Sequence, residues 1–247
     1  MHAQLAATSH QFPASGTADA AERSASLRDL FRGQPSDLYS AGEAVFWEGD
    51  EAGHIFDVLE GVLRVYRILP DGRRAIMGFI YPGDVLGVSF QSRYLFTAEA
   101  VTDVRVRRFA RTRFFALVND TPELRPQLIA ILCDEMSAAQ DQMLLLGRKS
   151  AEERVVSFLL AVNRKNGVGN TIDLPMSRLD IADYLGLTIE TVSRMLTGLT
   201  RRGLIAPAGR HAIALRRLHA LREIAGGDDG ESAVAARPAS RRAVWPN

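Results

Sequence analysis

Between Ala41 and Phe109, apolar and polar residues alternate in short runs, and glycine turns interrupt them about every ten residues. The turns are Gly42-Glu43, Glu48-Gly49-Asp50, Glu60-Gly61, Asp71-Gly72 and Pro82-Gly83-Asp84, and the runs between them include IFDVL, VLRVYRI, RAIMGFI and VRVRRFA. A period of two sends alternate side chains to opposite faces of a strand, so this stretch predicts a small antiparallel barrel or roll.

After Thr121 the period lengthens. Leu128, Leu132, Met136, Ala139, Met143 and Leu146 recur at steps of 4, 4, 3, 4 and 3, and Leu124 extends the stripe one turn earlier. Such steps align side chains along one side of a helix. A helix over residues 121–147 reaches roughly 40 Å at 1.5 Å per residue. A small roll cannot cover an apolar edge of that length, so the stripe predicts pairing with the same helix of a second copy across a two-fold axis. Asp134, Glu135, Gln140 and Asp141 are then expected in water.

The next residues carry repeated helix-start signals. Ser150 precedes Glu153 by three positions, and Val155, Val156, Phe158, Leu159, Leu160 and Val162 supply an apolar face. Ser177 and Asp180 repeat the spacing and open a helix with Leu179, Ile181, Ala182 and Leu185 facing inward. Gly186 makes a tight turn, Thr188 caps a second short helix, Gly203 ends it, and APAGRHAIAL reads as a hairpin. Two short helices across a tight turn, followed by a hairpin, predict a winged helix-turn-helix.

The chain as a whole therefore reads as α+β. The expected parts are an N-terminal arm without a packed fold (1–26), a β-roll of jelly-roll type (27–120), a dimerisation helix (121–147), a winged helix-turn-helix (148–225) and a flexible tail (226–247).

Charge sharpens this picture. The 247-residue chain has a formal net charge of only +1, but Arg148 to Arg217 holds twelve Lys/Arg against six Asp/Glu. That local excess suits a surface facing phosphates. The single cysteine, Cys133, allows no intrachain disulfide and no all-cysteine metal site. No run of 18 apolar residues and no secretory leader pattern is present, so no membrane partner is expected and the cytoplasm is the expected location. Asp50, Glu51 and Asp84 fall in turns without a matching histidine and nucleophile, so the chain is not expected to be an enzyme.

Within the second short helix, Glu190, Ser193, Arg194 and Thr197 share one face. Arg194 has the planar donor fork that fits guanine O6 and N7, Glu190 can accept from cytosine or adenine amines, and Ser193 is short enough to approach a base closely. These three are the candidate base-reading residues. Ser177, Thr188, Thr191, Thr197, Arg201, Arg202 and Arg210 are the candidates for support or phosphate contact, which adds affinity with little sequence choice. A Glu190–Arg194 pair could also hold the arginine ready before DNA arrives.

The blocks LLLGRKSAEERVVSFLL and DIADYLGLTIETVSRMLTGLTRRGLI carry a specific resemblance. From Gly42 to Leu215 the chain resembles transcription regulators of the family containing the bacterial cyclic-AMP receptor protein and the fumarate and nitrate reduction regulator, the CRP/FNR family, and within it the FixK-like branch. The resemblance implies that E-x-x-S-R, here Glu190, Ser193 and Arg194, reads a TTGA-type half-site in a palindrome near TTGA-N6-TCAA. It also implies a homodimer that contacts RNA polymerase, activates genes for microaerobic or anaerobic life and is controlled mainly through its own synthesis. Pro70 to Arg74 and Arg111 to Arg113 are the candidate polymerase-facing segments.

Relatives that sense oxygen hold an iron–sulfur cluster on cysteines before and inside the roll, and residues 1–120 here contain none. Relatives that bind cyclic AMP carry Gly-Glu and Arg-Ser pairs. The matching stretches here offer Gly83 and Asp84, but Phe96-Thr97 at the Arg-Ser position, so the cyclic phosphate lacks its bidentate partner. No cofactor is expected. The alternative is a regulator gated by a nucleotide or other small molecule in the roll, with Arg93 as part of a rearranged pocket.

Overall fold

The structure, a computed structural model, describes residues 26–166 and 169–227. All but the last residue of the expected arm, and the expected tail beyond Gly227, lie outside the described residues.

Eight strands form the roll: β1 (Ser36–Tyr39), β2 (Ala44–Phe46), β3 (His54–Glu60), β4 (Leu63–Ile68), β5 (Arg74–Ile80), β6 (Val85–Leu86), β7 (Thr97–Ala100) and β8 (Val104–Ala110). They make two four-stranded antiparallel sheets, ordered β1-β8-β3-β6 and β2-β7-β4-β5. The runs RAIMGFI and VRVRRFA coincide with β5 and β8 residue for residue. Between β3 and β4, Gly61 has φ +81°, and a Cβ there would sit 2.1 Å from the Asp103 carbonyl oxygen, so only glycine fits.

The first strand precedes the alternating stretch that opens at Ala41 and lies within residues 27–120, where the roll was expected. β1 pairs along β8, and Leu27 and Phe31 pack into the core around Phe109 and Phe114. The interior between the sheets packs aliphatic side chains such as Val58, Leu63, Ile80 and Leu86 with a group of aromatic rings. Phe46 stacks on Tyr94 at 3.8 Å between centroids, with Phe56 and Phe96 each 5.7 Å from Phe46.

A helix not read from the sequence follows, α1 (Arg111–Asp120). Its only buried residues, Phe114 and Val118, lie one turn apart, and the apolar Phe115, Ala116 and Leu117 between them turn the stripe into a continuous run with no visible period. Arg111 is also less free than expected of a polymerase-facing residue. It donates to the Ser89 and Ala52 carbonyls at 3.0 and 3.3 Å.

The long helix, α2, spans Arg125–Arg148, beginning after a 3-10 turn over Pro122–Leu124 rather than at Thr121. Its 24 residues are about 36 Å long. Two adjacent stripes run along it, and the single stripe expected from sequence merged them. Leu124 and Leu128, expected in the dimer stripe, are buried in the roll core of their own chain, on the face that also carries Ile131 and Leu145. Glu135 lies on that inward face too, only 8% exposed, instead of in water. Burial pushes its carboxyl up to about 7. One residue further round, Ile129, Met136 and Met143 are spaced by sevens and are 60%, 53% and 65% exposed, with Ala139 and Leu146 alongside and Leu132 at the border, partly buried against the roll core. The open seam thus starts at Ile129, which the sequence stripe omitted.

The second domain contains α3 (Ala151–Asn166), β9 (Thr171–Asp173), α4 (Arg178–Leu185), α5 (Ile189–Arg201), β10 (Ile205–Pro207), β11 (Ala212–Leu215) and α6 (Leu218–Ile224). The three strands form one antiparallel sheet, β10-β11-β9. All six apolar residues expected to pack α3 are buried. Leu179, expected inward, is half-exposed, and Asp180 takes the inward position in that first turn. The core of this domain runs on into the roll. Val62, Tyr66, Ile76, Phe79 and Tyr81 belong to the same apolar cluster as Phe158, Leu159 and Leu185. Phe79, Phe158 and Tyr184 meet with centroids 5.6–6.2 Å apart. Among the described residues, no helix is long and apolar enough to cross a membrane.

Candidate nucleic-acid interface

The reading helix is held at both ends by its own sequence. Thr188 adopts extended geometry at the N-cap, and its Oγ1 accepts from the Thr191 backbone N–H at 3.3 Å. Gly203 takes φ +67° just past the other end, a left-handed position suited to glycine. Val192, Leu196 and Leu199 are buried, which fixes the rotation of α5 about its axis. Glu190, Ser193, Arg194, Thr197 and Arg201 are consequently all exposed together.

These side chains are arranged differently from the expected Glu190–Arg194 pair. Arg194 Nη2 donates to Thr191 Oγ1 at 3.4 Å, and Thr191 Oγ1 lies 3.1 Å from Thr188 Oγ1. Glu190 is held below its usual range by its own backbone N–H first, then by the Thr188 hydroxyl, with Arg194 contributing least. The arginine is therefore steadied by a threonine one turn back, and the glutamate is held at the helix start by its own N–H and the Thr188 hydroxyl.

An open cleft of about 820 Å³ lies between the start of α4, the outer face of α5 and the β10–β11 hairpin. Its walls include Ser193, Thr197, Arg201 and Arg210, together with Arg178 and His211. Sequence reasoning gave Arg178 no role; its signal was a basic residue at the first position of a helix, where the dipole disfavours a cation.

Besides Thr188 and Thr191, three more of the supporting candidates have internal duties. Ser177 Oγ accepts from the Asp180 N–H at 3.0 Å, and the Ser177 N–H donates to Asp180 Oδ2 at 3.0 Å, completing a capping box. Thr197 Oγ1 donates to the Ser193 carbonyl at 2.9 Å. Arg202 is turned away from the cleft and ion-paired with Glu152 of α3. Arg210 stands exposed at the hairpin tip.

Of the roll positions singled out in the sequence for a small ligand, Arg93 lines an open cleft of about 280 Å³ with Glu51, Ser92 and Arg111. Asp84 is buried but faces the second domain. Its Oδ2 accepts from the Tyr81 N–H at 2.9 Å and meets Lys165 Nζ of α3 at 2.5 Å. Burial raises the Asp84 carboxyl, and Lys165 opposes that shift. Thr97 Oγ1 accepts from the Glu48 N–H at 3.1 Å, and Arg93 Nη1 donates to the Gly49 carbonyl at 2.6 Å.

Residues 153–224 match the Crp-like helix-turn-helix domain, and residues 37–121 match the cyclic nucleotide-binding domain. The nitrogen fixation regulation protein FixK of Bradyrhizobium diazoefficiens is 48% identical over 172 residues, covering 68% of this chain and 73% of that protein. The transcriptional activatory protein AadR of Rhodopseudomonas palustris is 45% identical over 189 residues, 74% of this chain and 79% of its own length. The solved structure of FixK2 from Bradyrhizobium japonicum superposes with a TM-score of 0.75 at 39% identity, over 77% of this chain and 96% of that one. A basic, outward-facing reading helix, carried beside a roll and matched along most of the chain by such regulators, leads to one conclusion: this is a DNA-binding transcription regulator and not an enzyme, and it belongs to the CRP/FNR family, in its FixK-like branch.

Proposed function

We propose that the protein acts as a homodimer that activates transcription from a palindrome of the form TTGA-N6-TCAA, one half-site per protomer. The observation that carries this reading is the joint exposure of Glu190, Ser193 and Arg194 on the first turns of α5, beside the basic cleft. The N-terminal part of a recognition helix is what enters the major groove. Arg194 addresses guanine, Glu190 accepts from an amine, and Ser193 makes the close approach. Arg201 and Arg210, with Arg178 added from the structure, meet phosphates. The seam Ile129, Leu132, Met136, Ala139, Met143 and Leu146 supplies the two-fold axis.

The protein works without an iron–sulfur cluster and without cyclic AMP. Residues 1–120 lack the cysteines of a cluster. The stacked rings of Phe46, Phe56, Tyr94 and Phe96 occupy the roll interior, and Asp84 is committed to Lys165. Its targets are genes of microaerobic or anaerobic metabolism, in keeping with relatives named for nitrogen fixation regulation and transcriptional activation. The roll contributes to contact with RNA polymerase through Asp71 to Arg73 and Arg113, since Arg74 and Arg111 are engaged internally.

Fluorescence anisotropy with the full chain and no added ligand tests the reading. The TTGA palindrome is expected to bind far more tightly than a scrambled duplex of equal length at every salt concentration. Equal affinity for the two duplexes refutes it.

A further inference from the structure

Two arginines of the roll reach across to the helix-turn-helix. Arg74, at the start of β5, places Nη2 2.6 Å from Asp180 Oδ1 and Nε 2.9 Å from Asp183 Oδ2, bridging carboxylates one turn apart on α4. Arg64, on β4, places Nη1 3.2 and 3.3 Å from the two oxygens of Asp180. The arginines are themselves braced by the roll. Arg64 also pairs with Glu99 of β7, Tyr66 Oη donates to Glu99 Oε2 at 2.8 Å, and the Arg74 guanidinium lies over the Tyr66 ring at 5.7 Å.

The capping box explains one role of Asp180, but it needs only Ser177. It does not explain why this carboxylate, 2% exposed, also receives two guanidinium groups from residues 106 and 116 positions away. Planar forks on a buried carboxylate have narrow geometric tolerance. Gripping α4 at two points a turn apart fixes both its position and its rotation. The Gly186 turn and the shared core of Leu185, Val192 and Leu196 then pass that orientation to α5. The grip holds the inner side of α4 and leaves Glu190, Ser193 and Arg194 exposed, so it orients the reading face without covering it.

We propose that Arg64 and Arg74 are positioning residues for operator recognition: through Asp180 and Asp183 they set the angle of each reading helix relative to the dimer axis. This rests on the dimeric, palindrome-reading function proposed above. The roll then serves as a fixed jig for the helix-turn-helix.

The test uses the full-length R64M/R74M variant and anisotropy on three kinds of duplex. These are the palindrome with its six-base spacer, the same half-sites with five- or seven-base spacers, and a single half-site in scrambled flanks. One base pair rotates a half-site by about 35°, so a fixed pair of reading helices must prefer one spacer. The variant is expected to lose about tenfold in affinity for the six-base palindrome. It is also expected to bind the three spacings within about twofold of one another, and to keep wild-type affinity for the single half-site. Wild-type spacer preference in the variant overturns the proposal. So does an equal loss on palindrome and single half-site, which marks damage to the helix-turn-helix itself. R74K, which keeps a cation near both carboxylates, is expected to recover spacer preference in part. If R64M/R74M does not fold, D183N removes one anchor without stranding a buried charge and is expected to weaken spacer preference; unchanged preference overturns the proposal. Absence of any palindrome preference in the wild-type protein removes the parent reading, and is seen before any variant is made.

Discussion

Arg194→Ala is the sharpest probe of how the reading face works. The side chain is exposed, and its hydrogen bond is a 3.4 Å contact to Thr191 Oγ1, so truncating it should change folding stability by less than about 0.5 kcal/mol. Its loss on DNA should be much larger. A bidentate arginine–guanine contact discriminates by about 1–3 kcal/mol, and a dimer on a palindrome loses two, about 2–6 kcal/mol in all. That is a fall in operator affinity of roughly 30-fold to 10⁴-fold. Binding to scrambled DNA should hardly change, because it depends on phosphate neutralisation. The salt dependence separates the two classes of residue. Each phosphate contact contributes about −0.9 to the slope of log K against log salt, so Arg201→Ala or Arg210→Ala should flatten the slope by about 1.8 per dimer. Arg194→Ala should leave the slope on the operator nearly unchanged. Anisotropy titrations on operator and scrambled duplexes across a salt series measure all of this. Equal losses on both duplexes with a flattened slope would show that Arg194 is a phosphate contact and would refute the assignment.

Three other outcomes follow from the fold. Met136→Glu, in the open seam, should give a monomer by sedimentation with its thermal transition little changed, whereas Leu128→Ala should keep the dimer and lose about 2–5 kcal/mol of stability; the opposite pattern would mean the seam is misassigned. Glu135, raised to about 7 by burial, favours its neutral form by on the order of 3 kcal/mol, a contribution present below its unfolded value of 4.5 and lost as pH rises through 7. Urea midpoints should therefore fall between pH 5 and pH 8, and Glu135→Gln should remove most of that fall; a variant with an undiminished fall would contradict this. Phe46→Ala, which removes the ring stacked on Tyr94, should cost about 3–5 kcal/mol and open the roll interior; calorimetry showing under about 1 kcal/mol would mean the rings do not fill it.

Much of this protein was legible as sequence because its determinants are local. Alternation with period two and glycine turns located β3, β4, β5 and β8, since each strand's two faces are written in adjacent residues. Capping at Ser150, Ser177 and Thr188, with Gly186 and Gly203, bounded the helices of the second domain, because a cap acts within four residues of itself. The shared exposure of Glu190, Ser193 and Arg194 on one face of α5 followed from the 3.6-residue repeat alone.

What the chain could not show by itself was which neighbour each face would meet. The two stripes of α2 differ by a single residue, so periodicity blended the roll-facing Leu124 and Leu128 with the open Met136 and Met143, passed over Ile129 and left Glu135 in water. A helix has no record of what lies beside it until the roll is placed there. The same holds for Asp84 and Asp180. Each reads locally as a turn or cap residue, and only tertiary contact brings Lys165 to the first and Arg64 with Arg74 to the second. Ion pairs between residues some 80 to 116 positions apart leave no periodic trace, because their geometry is set by how two separately patterned domains dock.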